Sequence, residues 1–396
     1  MSQPALVLGP PPLLAAPGLA RLWAALPQAR LVGGVVRDLL AGLAPADIDL
    51  ATPDPPETVA SALARAGVRC LPSGLEHGTL TALVDGRSFE ITSLRRDVAT
   101  DGRHAVVAFG ADFTTDAARR DFTLNAMSMT REGAVFDAFG GIADLAAGRV
   151  RFVGEAGRRI EEDFLRALRF FRFQARFGRD AADAAACAAI TARVAGLARL
   201  SAERVWGEIK RILAAPDPRC AVAGMAETGV LAAVLPEATG RAAFDRLVAS
   251  GAPADPLLRF SALCPTSGTR LAARLRVSGE ERDALVALAG PAPEPGTEDD
   301  ALRRAREETP LAVLLGRAWR ADDGNPAWGV LRARLATLPA PLFPLAGRDV
   351  LALGVAPGPA VGAMLREVRR WWRAGGCRAS REACLAELAR RQRNQP

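Results

Sequence analysis

The sequence predicts an α+β protein, with a small sheet confined to residues 1–153 and helices from there to the end. Three observations lead to this. Between residues 29 and 94, short apolar or alternating segments are separated by Gly-Gly, Pro-Pro and Asp-Gly turn signals at strand-like intervals. After Val153 no segment has comparable strand character, and alanine-rich stretches with helical spacing take over. At 396 residues and 49% hydrophobic content, the chain is too long for one compact core, so about two to four domains are expected.

In chain order, residues 11–28 read as a helix ending at Pro27, with Leu19, Leu22, Trp23 and Leu26 facing inward. A strand over Ala29–Val32 meets Gly33-Gly34, and a helix over Val35–Gly42 follows, burying Val36, Leu39 and Leu40. The next strand, Ala46–Ala51, alternates Asp47, Ile48 and Asp49, which puts both acids on one face and Ile48 on the other. Pro55-Pro56 opens a helix to Ala66. Strands follow over Val68–Leu71, Gly78–Val84 and Ser88–Leu94, the last two joined by a hairpin turn at Asp85-Gly86, giving a sheet of about five strands.

Candidate chemistry gathers on this framework. A turn at Gly34 points backbone N–H groups at an anion over the helix N-terminus, and Arg37 reaches the same place. Two adjacent carboxylates repel unless a cation lies between them, and oxygen ligands such as Asp47 and Asp49 suit Mg²⁺, whose other ligands are water and substrate phosphate. Glu90 is a third carboxylate, as base or metal contact, if its strand neighbours theirs. His104, on a loop tip over Asp101–His104, is left out of the site. Taken together, Gly-Gly-x-x-Arg-Asp and the following Asp-x-Asp resemble the signature of the DNA polymerase β superfamily of nucleotidyltransferases.

Two later blocks narrow the resemblance. Asp116–Met127 begins in a helix over Thr115–Arg120, with Thr115 or Asp116 as cap and Phe122 and Leu124 as anchors. Arg120 beside Asp121 reads as a charge pair that fixes the guanidinium for a ribose hydroxyl or phosphate. A long helix over Gly157–Phe177 carries acids at its start and Arg166, Arg169, Arg172 and Arg176 further along, an order that complements the dipole. Arg-Arg-Asp-Phe-Thr-Leu-Asn-Ala and Glu162-Asp163-x-x-Arg166 resemble two motifs of class II tRNA nucleotidyltransferases and their bacterial poly(A) polymerase relatives. The resemblance implies a polymerase β-like head in which Gly33, Gly34 and Arg37 position a triphosphate and Arg120 with Asp121 the sugar. Asp163 and Arg166 would read the base, and Arg169 and Arg172 would support that helix or the phosphates. Cytosine and adenine present acceptors to a guanidinium and an exocyclic amine to a carboxylate, whereas guanine and uracil present the opposite pattern. Ser201–Glu208 resembles an element that supports the base-reading helix.

The remaining sequence is read as helical, with loops at 291–296 and 339–344. The expected division is a catalytic head over 1–153, a base-reading neck over 154–215, a body over 216–300 and a tRNA-binding tail over 301–396. Formal charge of +7 suits a polyanionic partner, yet all but one of the 51 basic residues are arginine, which points to coding bias as much as to RNA contacts. Six cysteines without a Cys-x-x-Cys pair, and two histidines, do not make the usual zinc sites. With no signal-like leader and no apolar run long enough for a membrane span, the protein is expected to be soluble and cytoplasmic. The resulting expectation is a Mg²⁺-dependent enzyme that adds C and A to the tRNA 3′ end from CTP and ATP. The alternatives are a poly(A) polymerase, a non-catalytic RNA-binding relative, or a small-molecule nucleotidylating enzyme.

Overall fold

The computed structural model describes the chain except residues 1–2, 10, 75–77, 101–104, 111, 180, 267–268 and 395–396. The loop carrying His104 therefore lies outside the described residues. Two compact units are present, Met1–Pro236 and Glu237–Pro396.

The first unit contains β1 (Leu6–Val7), β2 (Arg30–Val32), β3 (Asp49–Thr52), β4 (Arg69–Gly74), β5 (Thr79–Val84) and β6 (Arg87–Ser93). The later strands are β7 (Arg95–Thr100), β8 (Ala105–Phe109), β9 (Met127–Met129) and β10 (Ala134–Asp137). Eight of them form one mixed sheet in the order β1-β10-β9-β2-β3-β6-β5-β4, and β7 pairs with β8 apart from it. The sheet exceeds the expected five strands because β1, β9 and β10 are only 2, 3 and 4 residues long, too short for alternation to register. Asp85 and Gly86, with φ of 50° and 75°, form the two-residue turn between β5 and β6 whose left-handed backbone matches strand twist.

β3 is central. It pairs antiparallel with β2 through Leu31 and Leu50, and parallel with β6 through Asp49 and Glu90. The strand starts at Asp49 rather than Ala46, because its register with β2 ends at Leu31–Leu50, where β2 gives way to the glycine turn. Helices α1 (Pro17–Ala25), α2 (Gly34–Leu40) and α3 (Pro56–Arg65) come from this same half of the unit. The helix expected over 11–28 is split into a short 3-10 turn, Pro12–Ala15, and α1, since Pro17 cannot donate to a continuing ladder. Leu19, Leu22, Trp23 and Leu26 join Leu31, Leu50, Val59, Leu63, Phe89 and Ile91 in one buried core. Full burial of each such side chain is worth roughly 1.5–3 kcal/mol.

Beyond the sheet come α4 (Phe113–Ala118), α5 (Gly141–Ala147), α6 (Ala156–Glu162) and α7 (Leu165–Phe177). These are followed by α8 (Ala184–Thr191), α9 (Ala202–Leu213), α10 (Arg219–Glu227) and α11 (Val230–Val234). The cap of α4 is Asp112, whose carboxylate accepts from the Thr115 N–H at 2.7 Å, so the helix begins ahead of the expected Thr115. Ser201 caps α9 as expected. The segment Val150–Val153 contributes a single bridge between Phe152 and Phe122 instead of a strand. Phe122 also packs on Phe173 at 5.2 Å and Phe170 at 6.4 Å between ring centroids, tying the Arg119–Asn125 segment to α7.

The second unit is helical throughout its described residues, from Arg241–Ala249 to Arg381–Arg393, with loops over 291–296 and 339–346. Its cores form around Leu302, Leu314 and Trp328 and around Val350, Met364 and Trp372. Many of its terminal arginines are bound internally: Arg369 and Arg373 pair with Glu307, Arg378 with Asp300, Arg381 with Asp349, and Arg390 with Glu387. Arg366 and Arg370 are exposed. Cys264, Cys377 and Cys384 are buried, and all six thiols are free.

Candidate active site

β2 runs into Gly33, whose φ of 73° turns the chain into α2. A Cβ on Gly33 would stand 2.7 Å from Arg120 Nη1, the far end of a flexible side chain, so it is the positive φ that requires glycine here. Arg37, in α2, is buried, donating from Nε to Asp38 at 2.9 Å and from Nη1 to Asn125 Oδ1 at 2.7 Å. Its guanidinium lies 4.7 Å from the Phe177 ring. Burial lowers the Arg37 pKa and the Asp38 carboxylate opposes that shift. The result is a fixed cation in one pose.

Asp47 is exposed just ahead of β3, Asp49 is its first residue, and Glu90 is the register partner of Asp49 across the parallel pairing. The structure thus brings all three carboxylates to the open end of these strands. Burial, then the Glu90 charge, push the Asp49 carboxyl up to about 6, with Arg120 pulling the other way and Asp47 adding a smaller push. A carboxylate made harder to ionise by its own neighbours suits an added cation, and an all-oxygen donor set suits a hard divalent one. Among the described residues no three His, Cys, Asp or Glu side chains are placed to hold a metal ion together, so any ligand set here is the Asp47–Asp49 pair rather than a trio.

The Arg120–Asp121 pair does not form. Arg120 and Asp121 lie beyond the end of α4 at Ala118, and Asp121 faces α7 instead. Asp116, buried in α4, takes both neighbouring arginines, Arg120 at 3.0 Å and Arg119 at shorter range. Asp121 turns the other way, pairing with Arg169 of α7 at 2.6 Å and accepting from Asn125 Nδ2 at 3.0 Å. Asn125 thus joins Arg37, Asp121 and Arg169 into one chain of contacts.

The long helix expected over 157–177 is broken at Asp163, which has extended backbone (φ −156°, ψ 106°). Its carboxylate accepts from the Leu165 N–H at 3.1 Å, a local bond that competes with helix continuation and starts α7 afresh. The other carboxylate oxygen pairs with Arg204 of α9 at 2.8 Å. Arg166 binds Glu162 and the Arg159 carbonyl through Nη1 alone. Burial would raise the Glu162 carboxyl, but hydrogen bonds from Arg166 and Arg159 outweigh it and lower its pKa. Arg172 lies 2.9 Å from buried Glu208 of α9, and burial brings its pKa down to about 10 despite that partner.

Gly33, Gly34, Arg37, Asp47, Asp49, Arg120, Asp121, Asp163, Arg166, Arg169 and Arg172 all line one open cleft of about 520 Å³. Glu90 lines an adjoining cleft of about 740 Å³, which shares Asp47 and Asp49 with the first. Sequence reasoning missed Arg119, Asn125 and Phe173 in the first cleft. Arg119 and Asn125 both stand in the quoted Arg-Arg-Asp-Phe-Thr-Leu-Asn-Ala run without being given a role, while nothing local marks Phe173.

Comparison with known proteins fits this geometry. Residues 29–151 match the model of the poly(A) polymerase head domain, and residues 183–241 match that of the probable RNA and SrmB-binding site of polymerase A. The chain is 33% identical over 380 residues to mitochondrial CCA tRNA nucleotidyltransferase 1 of Mus musculus, covering 91% of this chain and 86% of the relative. It is 32% identical over 389 residues to the CCA-adding enzyme of Geobacillus stearothermophilus, covering 92% and 94%. The crystal structure of the Bacillus stearothermophilus CCA-adding enzyme in complex with CTP superposes with a TM-score of 0.72 at 28% identity, over 95% of this chain and 98% of that one. The Thermotoga maritima CCA-adding enzyme complexed with tRNA, at 19% identity and a TM-score of 0.65, shares the fold.

Proposed function

This chain belongs to the CCA-adding tRNA nucleotidyltransferase family, and from that premise we propose that it completes tRNA 3′ ends by adding C and A from CTP and ATP, releasing pyrophosphate. The observation that carries the proposal is a single cleft holding the Asp47–Asp49 carboxylates, the arginines of the Gly33 turn, and Asp163 with Arg166. A head that only bound RNA has no need of paired acids, and a small-molecule nucleotidylating enzyme has no need of the α6–α7 break.

Enzymes of this family use a divalent metal, and we assign Mg²⁺ here, held by Asp47 and Asp49. When bound, it supplies charge neutralisation of the triphosphate and acidifies the attacking hydroxyl. The protein's own groups do the rest. Arg37 and Arg120 hold phosphate and sugar in fixed poses, because each guanidinium is tied to a buried carboxylate, Asp38 or Asp116. Glu90 stands beside Asp49 in strand register, where it can accept the 3′-hydroxyl proton.

Base choice falls to Asp163 and Arg166. Arg204 takes one oxygen of Asp163, and the remaining lone pairs can accept from an exocyclic amine. Arg166 spends Nη1 on the protein and keeps Nε and Nη2, with no partner among the described residues, to donate to ring acceptors. Uracil and guanine would leave these groups unpaired, a stronger rejection than an apolar pocket provides.

Among the described residues no helix is long and apolar enough to cross a membrane, and a cytoplasmic setting belongs to this same proposal. The test is incubation with tRNA transcripts ending at the discriminator base, each nucleotide supplied singly and together, followed by 3′-end sequencing. Ordered C, C and A addition is expected. Long adenosine tails from ATP alone would instead mark a poly(A) polymerase.

A further inference from the structure

Three arginines of the nucleotide cleft share one aromatic neighbour. The guanidinium of Arg172 lies 4.4 Å from the centre of the Phe173 ring, that of Arg37 at 5.1 Å and that of Arg169 at 6.0 Å. All four residues line the same cleft. The acids that partner these arginines come from separate parts of the unit: Asp38 in α2, Asp121 after α4 and Glu208 in α9. The Phe173 ring is the contact that the three cations have in common.

Like charges gathered in one cleft repel, and burial adds to the cost of keeping them charged. It lowers the pKa of Arg37 and brings that of Arg172 down to about 10, with the neighbouring Arg169 charge pushing the same way. An aromatic face carries the negative part of the ring quadrupole, so it attracts a cation within about 6 Å of its centre, most strongly where the cation is desolvated. Phe173 is itself only 4% exposed. Its ring makes a T-shaped contact with Phe122 at 5.2 Å and stacks with Phe177 at 6.3 Å, which fixes it on α7. Packing of that kind asks only for apolar bulk, whereas three guanidiniums gathered about one ring draw on its charge distribution.

We infer that Phe173 is a positioning residue for the nucleotide's triphosphate, its ring holding Arg37, Arg169 and Arg172 as one cradle before the phosphates arrive. The inference rests on the nucleotidyl-transfer reading above. The ring acts through the guanidiniums, which make the charge-assisted hydrogen bonds to phosphate oxygens. Donors already in place lose less conformational freedom on binding, and a triphosphate, which meets more of them than a monophosphate does, gains more from that order.

The test compares full-length wild-type protein with Phe173→Leu and with protein in which Phe173 is replaced by mono- or trifluorophenylalanine, which keep the ring's shape while draining negative charge from its face. Kd values for CTP and for CMP are measured by calorimetry in Mg²⁺, with thermal melts alongside. The CTP Kd should rise stepwise with fluorination, reaching about tenfold for the trifluorinated ring and for Phe173→Leu, while the CMP Kd stays within about twofold. A CTP Kd that is flat across the fluorinated series overturns the assignment whatever Phe173→Leu does, because the ring would then serve packing alone. A CMP Kd that worsens in parallel overturns it as well, since the added phosphates would not be what the ring serves. Wild-type protein that binds CTP but extends no tRNA would instead defeat the functional reading itself.

Discussion

Replacing Asp163 by asparagine separates its two jobs. In the protein one carboxylate oxygen caps α7 through the Leu165 N–H, and the other pairs with half-exposed Arg204. Asparagine caps a helix about as well as aspartate, so the roughly 1 kcal/mol that a lost cap costs is retained, and the ion pair contributes only about 0–1 kcal/mol at such exposure. Stability should therefore fall by no more than about 1 kcal/mol. The amide can turn its N–H toward the O4 of uracil or O6 of guanine, which the carboxylate cannot do. Losing a buried polar pair is worth about 1–3 kcal/mol, so selectivity for CTP and ATP over UTP and GTP should drop by roughly ten- to a hundredfold. Single-turnover incorporation of each nucleotide into one tRNA transcript measures it, with thermal melts run alongside. Asp163→Ala and Arg166→Ala should lose selectivity too, with slower transfer. Wild-type selectivity in all three variants, with only the melting temperature reduced, would show that the break between α6 and α7 serves structure alone.

Asp47→Ala or Asp49→Ala should abolish transfer while CTP-independent folding persists, and a tenth of the wild-type rate remaining in Mg²⁺ would refute the metal assignment. Because Asp49 titrates near 6 in the folded chain and near 4 unfolded, the folded state binds its proton more tightly. Metal-free stability should thus rise as pH falls from about 7 toward 4, metal affinity should weaken through pH 6, and Asp49→Asn should flatten both profiles in melts with and without chelator. Gly33→Ala places a methyl against Arg120 on a left-handed backbone, a strain of about 1–2 kcal/mol, and should weaken CTP binding measured by calorimetry while the protein still folds. Arg366→Ala with Arg370→Ala should weaken tRNA binding and flatten its salt dependence without altering which nucleotide is added, whereas unchanged affinity across a salt series would make those arginines mere coding bias.

Local chemistry was legible in the sequence, and remote pairing was not. The Gly33 turn, the Asp85-Gly86 hairpin and the Ser201 cap each depend on a few consecutive residues and stand where expected. The two acids and Glu90 were found because alternation assigns faces, although which strands would neighbour one another remained open until the parallel pairing of β3 with β6 was in hand. Arg120 pairs with a different acid from the one its neighbour suggests, since α4 presents Asp116 to it while Asp121, beyond the helix, pairs with Arg169. The excess of terminal arginines likewise looked free for RNA until Glu307, Asp300 and Asp349 were seen to occupy several of them. β1 and β10, only two and four residues long, are not marked in the sequence.

Phe122 gives the fold a practical rule for engineering. Its ring is wedged among Phe152, Phe170 and Phe173, so the residues on either side of it and the face of α7 behave as one machined part. A designer who grafts a foreign base-reading helix onto this head, hoping to write a different 3′ sequence, must transplant the ring's seat along with Asp163 and Arg166. Without that seat, Asp121 loses its registration with Arg169, and the new letter would be offered to a misaligned press.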